Sequence, residues 1–234
     1  MDPLTATGAL LGAAGTAALG YLSPAAWKRV AIRQLQARCV EKGALVLTYD
    51  DGPGPQTTEA LMDLLDEFDA PATFFLSGGR VSSHREVALN LNGRGHEVAA
   101  HGYHHLHAWK SWPSALRDDF AGGMGAAISM GATEPVSHRP PFGKLVLPTW
   151  LLIRHRGARL SWWTHDSGDS FPELPERSPA LDLLDDGGGV ALLHDLDRSQ
   201  LRNDFVLATT RALLVGARKR GLSVVRFRDL WPES

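Results

Sequence analysis

Leu45-Val46-Leu47-Thr48-Tyr49-Asp50-Asp51-Gly52-Pro53 is the stretch whose reading decides the fold of this chain. An apolar run of buried-strand length stops at two adjacent carboxylates, and the Gly-Pro that follows turns the backbone. Successive side chains of an extended chain point to opposite sides. Asp50 and Asp51 therefore share one solvated patch only where the strand has ended and the chain is turning. Two acids presented at a strand end suit a metal site in which one ligates and the other handles protons. Taken alone, Asp-Asp-Gly reads more readily as a solvated turn. Clusters elsewhere in the chain decide between the two.

From Gly43 onward, short apolar β-rich runs alternate with helical patterns, which is the signature of repeated βα units and a parallel sheet. Strands are predicted near 44–49, 72–77, 96–100, 135–139, 158–163, 189–193 and 222–226. Leu61, Leu64, Leu65 and Phe68 keep helical spacing over 57–68. Two further helices are predicted over 116–130 and 205–219, the first weakened by Gly122, Gly123 and Gly125. The expected class is α/β, a distorted (β/α) barrel of about seven strands preceded by an N-terminal apolar helix. Active sites of such barrels gather at the carboxyl ends of the strands.

Before Gly43 the pattern differs. Leu4 to Trp27 is a run of 24 residues without a charge, followed by Lys28, Arg29, Arg33 and Arg38. It is long enough to span a bilayer, and basic residues placed after it put the carboxyl-terminal side in the cytoplasm. The expectation is a membrane-associated chain whose main domain faces the cytoplasm, or a cytoplasmic one if the segment does not insert. A helix packed on the domain competes with insertion, because Ala and Gly insert weakly. Ala25 to Gln36 reads as a basic helix with Ala31, Ile32 and Leu35 on one side. The expected organisation is an apolar segment and basic linker helix over 1–42 and one domain over 43–234.

A chain of 234 residues is long enough for one domain with a sizeable core. Its hydrophobic content of 44% is a globular value, and a net charge of -2 gives no reason to expect nucleic-acid binding. Cys39 is the only cysteine, which excludes an intrachain disulfide and a thiolate metal cluster. No obligate protein partner is inferred.

Four of the ten histidines (His101, His104, His105, His107) fall within seven positions, where the predicted strand 96–100 ends. One helical turn after the strand would put His101 and His105 on one face, and Asp51 would complete a two-His, one-carboxylate site with positions left open. A lone His-x-x-x-His is weak evidence; an aspartate pair at another strand end strengthens it. His138-Arg139-Pro140-Pro141-Phe142-Gly143 ends a further strand. Its arginine can hold a neighbouring carboxylate ionised, and Phe142 is the first residue after the prolines whose N–H is free to meet an oxyanion. Trp162-Trp163-Thr164-His165-Asp166 and Val190-Ala191-Leu192-Leu193-His194-Asp195 close two more strands. A rim histidine can act as a general acid if a buried carboxylate holds it protonated, and Asp166 is a candidate partner.

Thr48-Tyr49-Asp50-Asp51-Gly52-Pro53, His101-x-x-x-His105, Arg139-Pro140-Pro141-Phe142-Gly143, Asp166-x-x-Asp169 and Leu192-x-His194 occur in the order of the five motifs of the polysaccharide deacetylases. From Gly43 to Trp231 the chain resembles a NodB-homology domain of carbohydrate esterase family 4. The resemblance implies hydrolysis of an N-acyl, most often N-acetyl, group of an amino sugar. It implies one divalent metal, commonly zinc, with cobalt, nickel or manganese as alternatives, on Asp51, His101 and His105. It also implies Asp50 as base, Arg139 orienting it, His194 as acid tuned by Asp166, Leu192 lining the acetyl pocket and the Phe142 N–H at the oxyanion. The partner so implied is an N-acylated glycan or a lipid-linked sugar. Against the family pattern, Tyr49 replaces Phe, Phe142 replaces Tyr, Gly102 stands where Ser or Thr is common, and Ser170 stands in the place of a Trp. Gly102 is expected to loosen the surroundings of the ligands. The same centre would serve a deformylase or deacetylase of a lipid-linked amino sugar or a small amide. A carbohydrate-binding pseudoenzyme would keep the barrel but has no need of the base, triad and acid histidine together. A metal-storage or sensing protein lacks a switch element.

Overall fold

The computed structural model describes residues 27–231. Its centre is β1 (Ala44–Asp50), buried along its whole length. The other strands are β2 (Thr73–Leu76), β3 (Glu97–Ala100), β4 (Ser137–His138), β5 (Arg159–Leu160), β6 (His165–Asp166), β7 (Gly189–His194) and β8 (Ser223–Val224). They form one sheet in the order β5-β4-β3-β2-β1-β7-β6, with β8 added to β1, and every pairing is parallel. One edge of β1 runs beside β7 from Leu45 to Asp50. Its other edge is shared, with β8 at Ala44–Leu45 and β2 at Thr48–Asp50. Near-continuous apolar sequence in β1 and β7 is what a strand covered on both faces requires. The terminal strands β5 and β6 do not pair with each other, so the sheet curls into a barrel with an open seam.

The helices are α1 (27–42), α2 (Thr57–Glu67), α3 (Gly78–Ser83), α4 (Arg85–Gly93), α5 (Pro113–Ser129), α6 (Leu147–His155) and α7 (Gln200–Arg220). Side chains alternate along β1. Thr48 and Asp50 turn into the barrel, where both meet Arg139. Tyr49 turns outward, stacks on Phe74 with ring centroids 4.8 Å apart, and shares a hydrogen bond of 3.0 Å with Thr210 on α7. That bond satisfies the hydroxyl that Tyr49 carries in place of a family Phe. Leu35 and Cys39 of α1 are buried in the same core as β1, and Gln36 donates to the Gly188 carbonyl at 2.9 Å. Burial pushes the Cys39 thiol up to about 12, so it stays a neutral packing group.

Two expectations change. The strand expected over 158–163 shortens to β5, which closes on β4; the chain then crosses the seam through Trp162 and Trp163, and an unexpected strand beyond that range, β6, joins β7. The membrane-associated, cytoplasm-facing placement is also corrected, because no helix of the described residues is long and apolar enough to cross a membrane. Its basis, Leu4 to Trp27, lies outside the described residues except for Trp27. The N-terminal apolar helix falls outside them too.

Candidate active site

Strand register does the first part of the assembly. Asp50 pairs with His194 across β1 and β7, while Ala100 pairs with His138 across β3 and β4. His101 and Arg139, each one residue further on, leave their strands side by side. Arg139 is fully buried. Its Nη1 donates to Asp50 Oδ1 at 2.6 Å and to Thr48 Oγ1 at 2.9 Å, Nη2 donates to the Trp162 carbonyl at 3.2 Å, and its guanidinium lies 4.0 Å from the Phe75 ring centroid. Desolvating a cation costs several kcal/mol; a short ion pair, two further hydrogen bonds and a ring face offset part of it, while Nε has no partner among the described residues. Burial lowers the Arg139 pKa and Asp50 raises it again; the net direction is down, from a value so high that the group stays charged. Asp50 is thus fixed by one oxygen, with Oδ2 left over.

Asp51 leaves β1 with φ of 73° and His105 sits at φ of 56°, both in the left-handed region that side chains other than glycine avoid. These bends aim both residues at His101. Asp51, His101 and His105 offer ligand atoms that all lie within 4.8 Å of one another. Asp51 Oδ1 is buried with no hydrogen-bond partner among the described residues, 3.0 Å from His105 Nε2 and 3.4 Å from His101 Nε2. His101 Nδ1 lies 2.8 Å from the Arg139 carbonyl oxygen, which can only accept. A proton on Nδ1 leaves the Nε2 lone pair facing the carboxylates, a repulsive arrangement unless a cation or a second proton enters. Burial pulls the His101 pKa down and Asp50 and Asp51 push it up further, the net direction being up. A neutral-His, carboxylate donor set of this shape fits a divalent ion.

On the opposite side stands His194, and here the sequence expectation needs correcting. The carboxylate that meets it is Asp169, whose Oδ1 is 2.7 Å from Nδ1 and whose Oδ2 accepts from the His194 N–H at 2.8 Å. Asp166 instead accepts from the Gly168 N–H at 2.9 Å, closing a turn that folds Asp169 back over the end of β6. Burial would lower the His194 pKa, but the Asp169 hydrogen bond and charge prevail and push it up to about 9. Arg198 and Arg202 both donate to the Asp169 carbonyl, and Arg202 also donates to the Phe171 and Pro172 carbonyls. Leu192, buried and two residues before His194, turns to the same interior.

The loops are locked by residues that motif reading overlooks. Asp119 on α5 accepts from the Tyr103 N–H at 3.1 Å and the His104 N–H at 2.5 Å, holding the loop between His101 and His105. A Cβ on Gly102 (φ 76°) would come within 2.4 Å of Asp119 Oδ2. Gly102 therefore makes room for this buried carboxylate, and the expected loosening is replaced by a different clamp. Similarly, Thr58 donates to Asp195 Oδ2 at 2.7 Å, and the Asp195 carboxylate fills the space where a Gly52 side chain would stand. Thr58 also accepts from the Gly54 N–H at 2.8 Å, so it ties the loops after β1 and β7 together. Burial pushes Asp195 up to about 7. At the rim, Phe142 has φ of 56° and packs its ring 4.4 Å from His105 and 5.0 Å from His107. Its N–H makes no hydrogen bond to a described backbone carbonyl. His138 is buried against Phe120, held neutral by burial at about 3, and stands outside the group.

A family model described as polysaccharide deacetylase matches residues 37–160. A peptidoglycan-N-acetylglucosamine deacetylase of Bacillus cereus is 28% identical over 191 residues, covering 80% of this chain and 87% of that protein. A chitooligosaccharide deacetylase of Rhizobium leguminosarum bv. trifolii is 30% identical over 152 residues, covering 64% and 71%. Among solved structures, a family 4 carbohydrate esterase from Streptomyces lividans superposes with a TM-score of 0.67 at 23% identity over 79% of this chain and 92% of that one, a likeness of fold. The family match covers more than half of the chain, and its order of strand-end clusters is the family's own: this chain belongs to the polysaccharide deacetylases, as a NodB-homology domain of carbohydrate esterase family 4.

Proposed function

We propose that the chain hydrolyses the N-acetyl group of an amino sugar in a polysaccharide or glycoconjugate, with a divalent ion, zinc first among the candidates, on Asp51, His101 and His105. One observation carries this reading: a buried, unpartnered Asp51 oxygen and two imidazoles converge between a carboxylate fixed by Arg139 and a histidine fixed by Asp169. Bound there, the ion supplies Lewis acidity to the acyl carbonyl and to the attacking water.

This chain's own residues do the rest. Asp50 keeps Oδ1 on Arg139 and uses Oδ2 to take the proton of the attacking water. The Phe142 N–H donates to the oxyanion that develops on the acyl oxygen. His194, with Nδ1 held by Asp169, carries its other proton on Nε2 and delivers it to the departing amine. Leu192 gives the acetyl methyl an apolar wall. The products are acetate and a free amino sugar. The B. cereus and R. leguminosarum relatives, named for peptidoglycan and chitooligosaccharide substrates, support an N-acetylated glycan as the substrate class.

Acetate release from N-acetylated glycans should stop on chelation and return on adding a divalent ion, with one ion bound per chain by elemental analysis. Full activity in a metal-free preparation would exclude the proposed centre.

A further inference from the structure

Beyond Phe142 the same loop has a second lining. Lys28 on α1 donates from Nζ to the Gly143 carbonyl at 2.9 Å and stands over the Trp162 and Trp163 rings at 4.6 and 4.7 Å. Lys144 holds its Nζ over the Trp109 ring at 4.4 Å. With Arg29, these two lysines line a cleft of about 260 Å³, walled by Trp109, Ile32 and Leu145, and no acidic residue is among its lining. None of the three cations forms an ion pair with a described residue. In a chain of net charge -2, three cations gathered on this wall repel one another, and among the described residues only the Gly143 carbonyl and the indole faces offset them, with no carboxylate. The repulsion is felt at Lys28, where burial, then Lys144 and Arg139, push the ammonium down to about 8.

The cleft adjoins the catalytic centre by two routes. Along the chain, Phe142 covers His105 while Gly143 and Lys144, the next two residues, form the cleft. Across the surface, rings follow one another from His105 to Phe142, His107 and Trp109 at centroid spacings of 4.4, 5.0 and 6.1 Å. A half-exposed indole offers a flat apolar face to a sugar ring, and the cations beside it offer charge-assisted hydrogen bonds to an anion. We propose that Lys28, Arg29 and Lys144, with Trp109, form a subsite for an anionic group, carboxylate or phosphate, carried by the glycan next to the sugar that is deacetylated. The inference rests on the deacetylase reading above and narrows it to anionic glycans.

The test compares a neutral substrate, N-acetylchitotetraose, with two anionic ones: a muramic-acid-containing glycan of similar length, which carries a carboxylate, and N-acetylglucosamine 1-phosphate, set against free N-acetylglucosamine. Hydrolysis is read as kcat/KM, and binding is read calorimetrically in the Asp50→Asn full-length chain. The wild-type preference for an anionic substrate over its neutral counterpart should fall roughly three- to tenfold in Arg29→Gln and in Lys144→Gln, and further in the double variant. It should also fall with added salt. Arg211→Gln, which removes the same charge from an ion pair with Glu67, should keep the wild-type preference. The carboxylate and phosphate arms tell which anion the subsite takes. Equal use of neutral and anionic substrates by the wild type, or an unchanged preference in the double variant, overturns the subsite while leaving the deacetylase reading intact. Anion-selective binding that the double variant loses, without hydrolysis of any glycan, overturns the deacetylase reading and leaves the subsite standing.

Discussion

On the floor of the site, Arg139, Asp50 and His101 are at most 3% exposed, and each is fixed by a bond to another strand end. On its rim, Phe142 and Trp109 are 52% and 49% exposed, and their side chains are held by ring contacts and, at Trp109, by the Lys144 ammonium. Floor residues are placed by strand register, which a substitution cannot shift without moving a whole strand. Rim residues are placed by loops, whose side chains can re-pack. Chemistry should therefore concentrate on the floor and selectivity on the rim, and substitutions should sort accordingly.

The largest effects belong to the two adjacent aspartates and should separate them. Asp50→Asn keeps the shape of the side chain but removes the proton acceptor, so metal content should stay and kcat should fall by at least about 10²-fold. Asp51→Ala should lose metal and activity together. Parallel elemental analysis and rate measurement decide it; an Asp50→Asn enzyme of near-normal rate removes Asp50 from the base role.

Much of this floor can be read in the sequence, because strands β1, β3, β4 and β7 each end in a polar cluster and parallel register aligns those ends. What lies off the strands cannot be read the same way. The pairing of Asp169 with His194 is hidden because the residue at the end of β6 is Asp166, and only the turn through Gly168 shows which of the two acids of the motif returns to His194. Asp119 is hidden because it lies on α5, a helix whose glycines read as weakness; in the fold, a Cβ on Gly123 would collide with the Gly102 backbone at 2.5 Å, so those glycines allow the close approach that seats Asp119. β6 is obscured by Trp162 and Trp163, whose apolar run imitates a strand while their rings serve Lys28 and Arg139. Helices α3, α4 and α6 are short, and none is predicted from spacing.

Next in size is the acid side, where the two neighbouring aspartates give expectations of different size. His194 must be protonated to act, and its pKa of about 9 means that protonation is lost, and the rate falls, as pH rises through that value. Asp169→Asn removes the first group that raises it, so the alkaline limb of kcat/KM should move to lower pH and the rate at pH 8 should drop about 10- to 10²-fold. Asp166→Asn, which removes a charge that His194 feels without a hydrogen bond, should move the limb less than Asp169→Asn does. An unmoved limb in Asp169→Asn would mean that a group other than His194 sets it.

A smaller effect tests whether floor behaviour extends to a residue that never touches the reaction. Asp119→Ala leaves the Tyr103 and His104 N–H groups without their acceptor, at a cost of roughly 1–3 kcal/mol, and frees the loop that carries His105. Metal affinity should weaken by about tenfold, the lower end of what outer partners of metal ligands contribute. Asp119→Asn retains an oxygen that can accept both bonds and should restore most of it. Equal losses in the two variants would show that charge, and not the clamp, is what matters.

The smallest effect falls on Phe142, which lies on the boundary between floor and rim. Its ring is rim material, half exposed and resting on His105 and His107, while its N–H is assigned to the oxyanion. Phe142→Ala deletes the ring and keeps the N–H, at a φ of 56° that is no worse for Ala than for Phe. Phe142→Gly keeps the N–H as well and removes the conformational strain, at the cost of a freer loop. If ring and N–H act separately, both variants should hold kcat within about threefold, since oxyanion donation is untouched, and should raise KM a few-fold through the lost apolar contact with the sugar. The two should then differ from each other less than either differs from wild type. A kcat loss approaching that of Asp50→Asn in Phe142→Ala would mean that the ring fixes His105 in its ligating position. Phe142 would then belong to the floor despite its exposure, and the division between buried chemistry and exposed selectivity would fail at this residue.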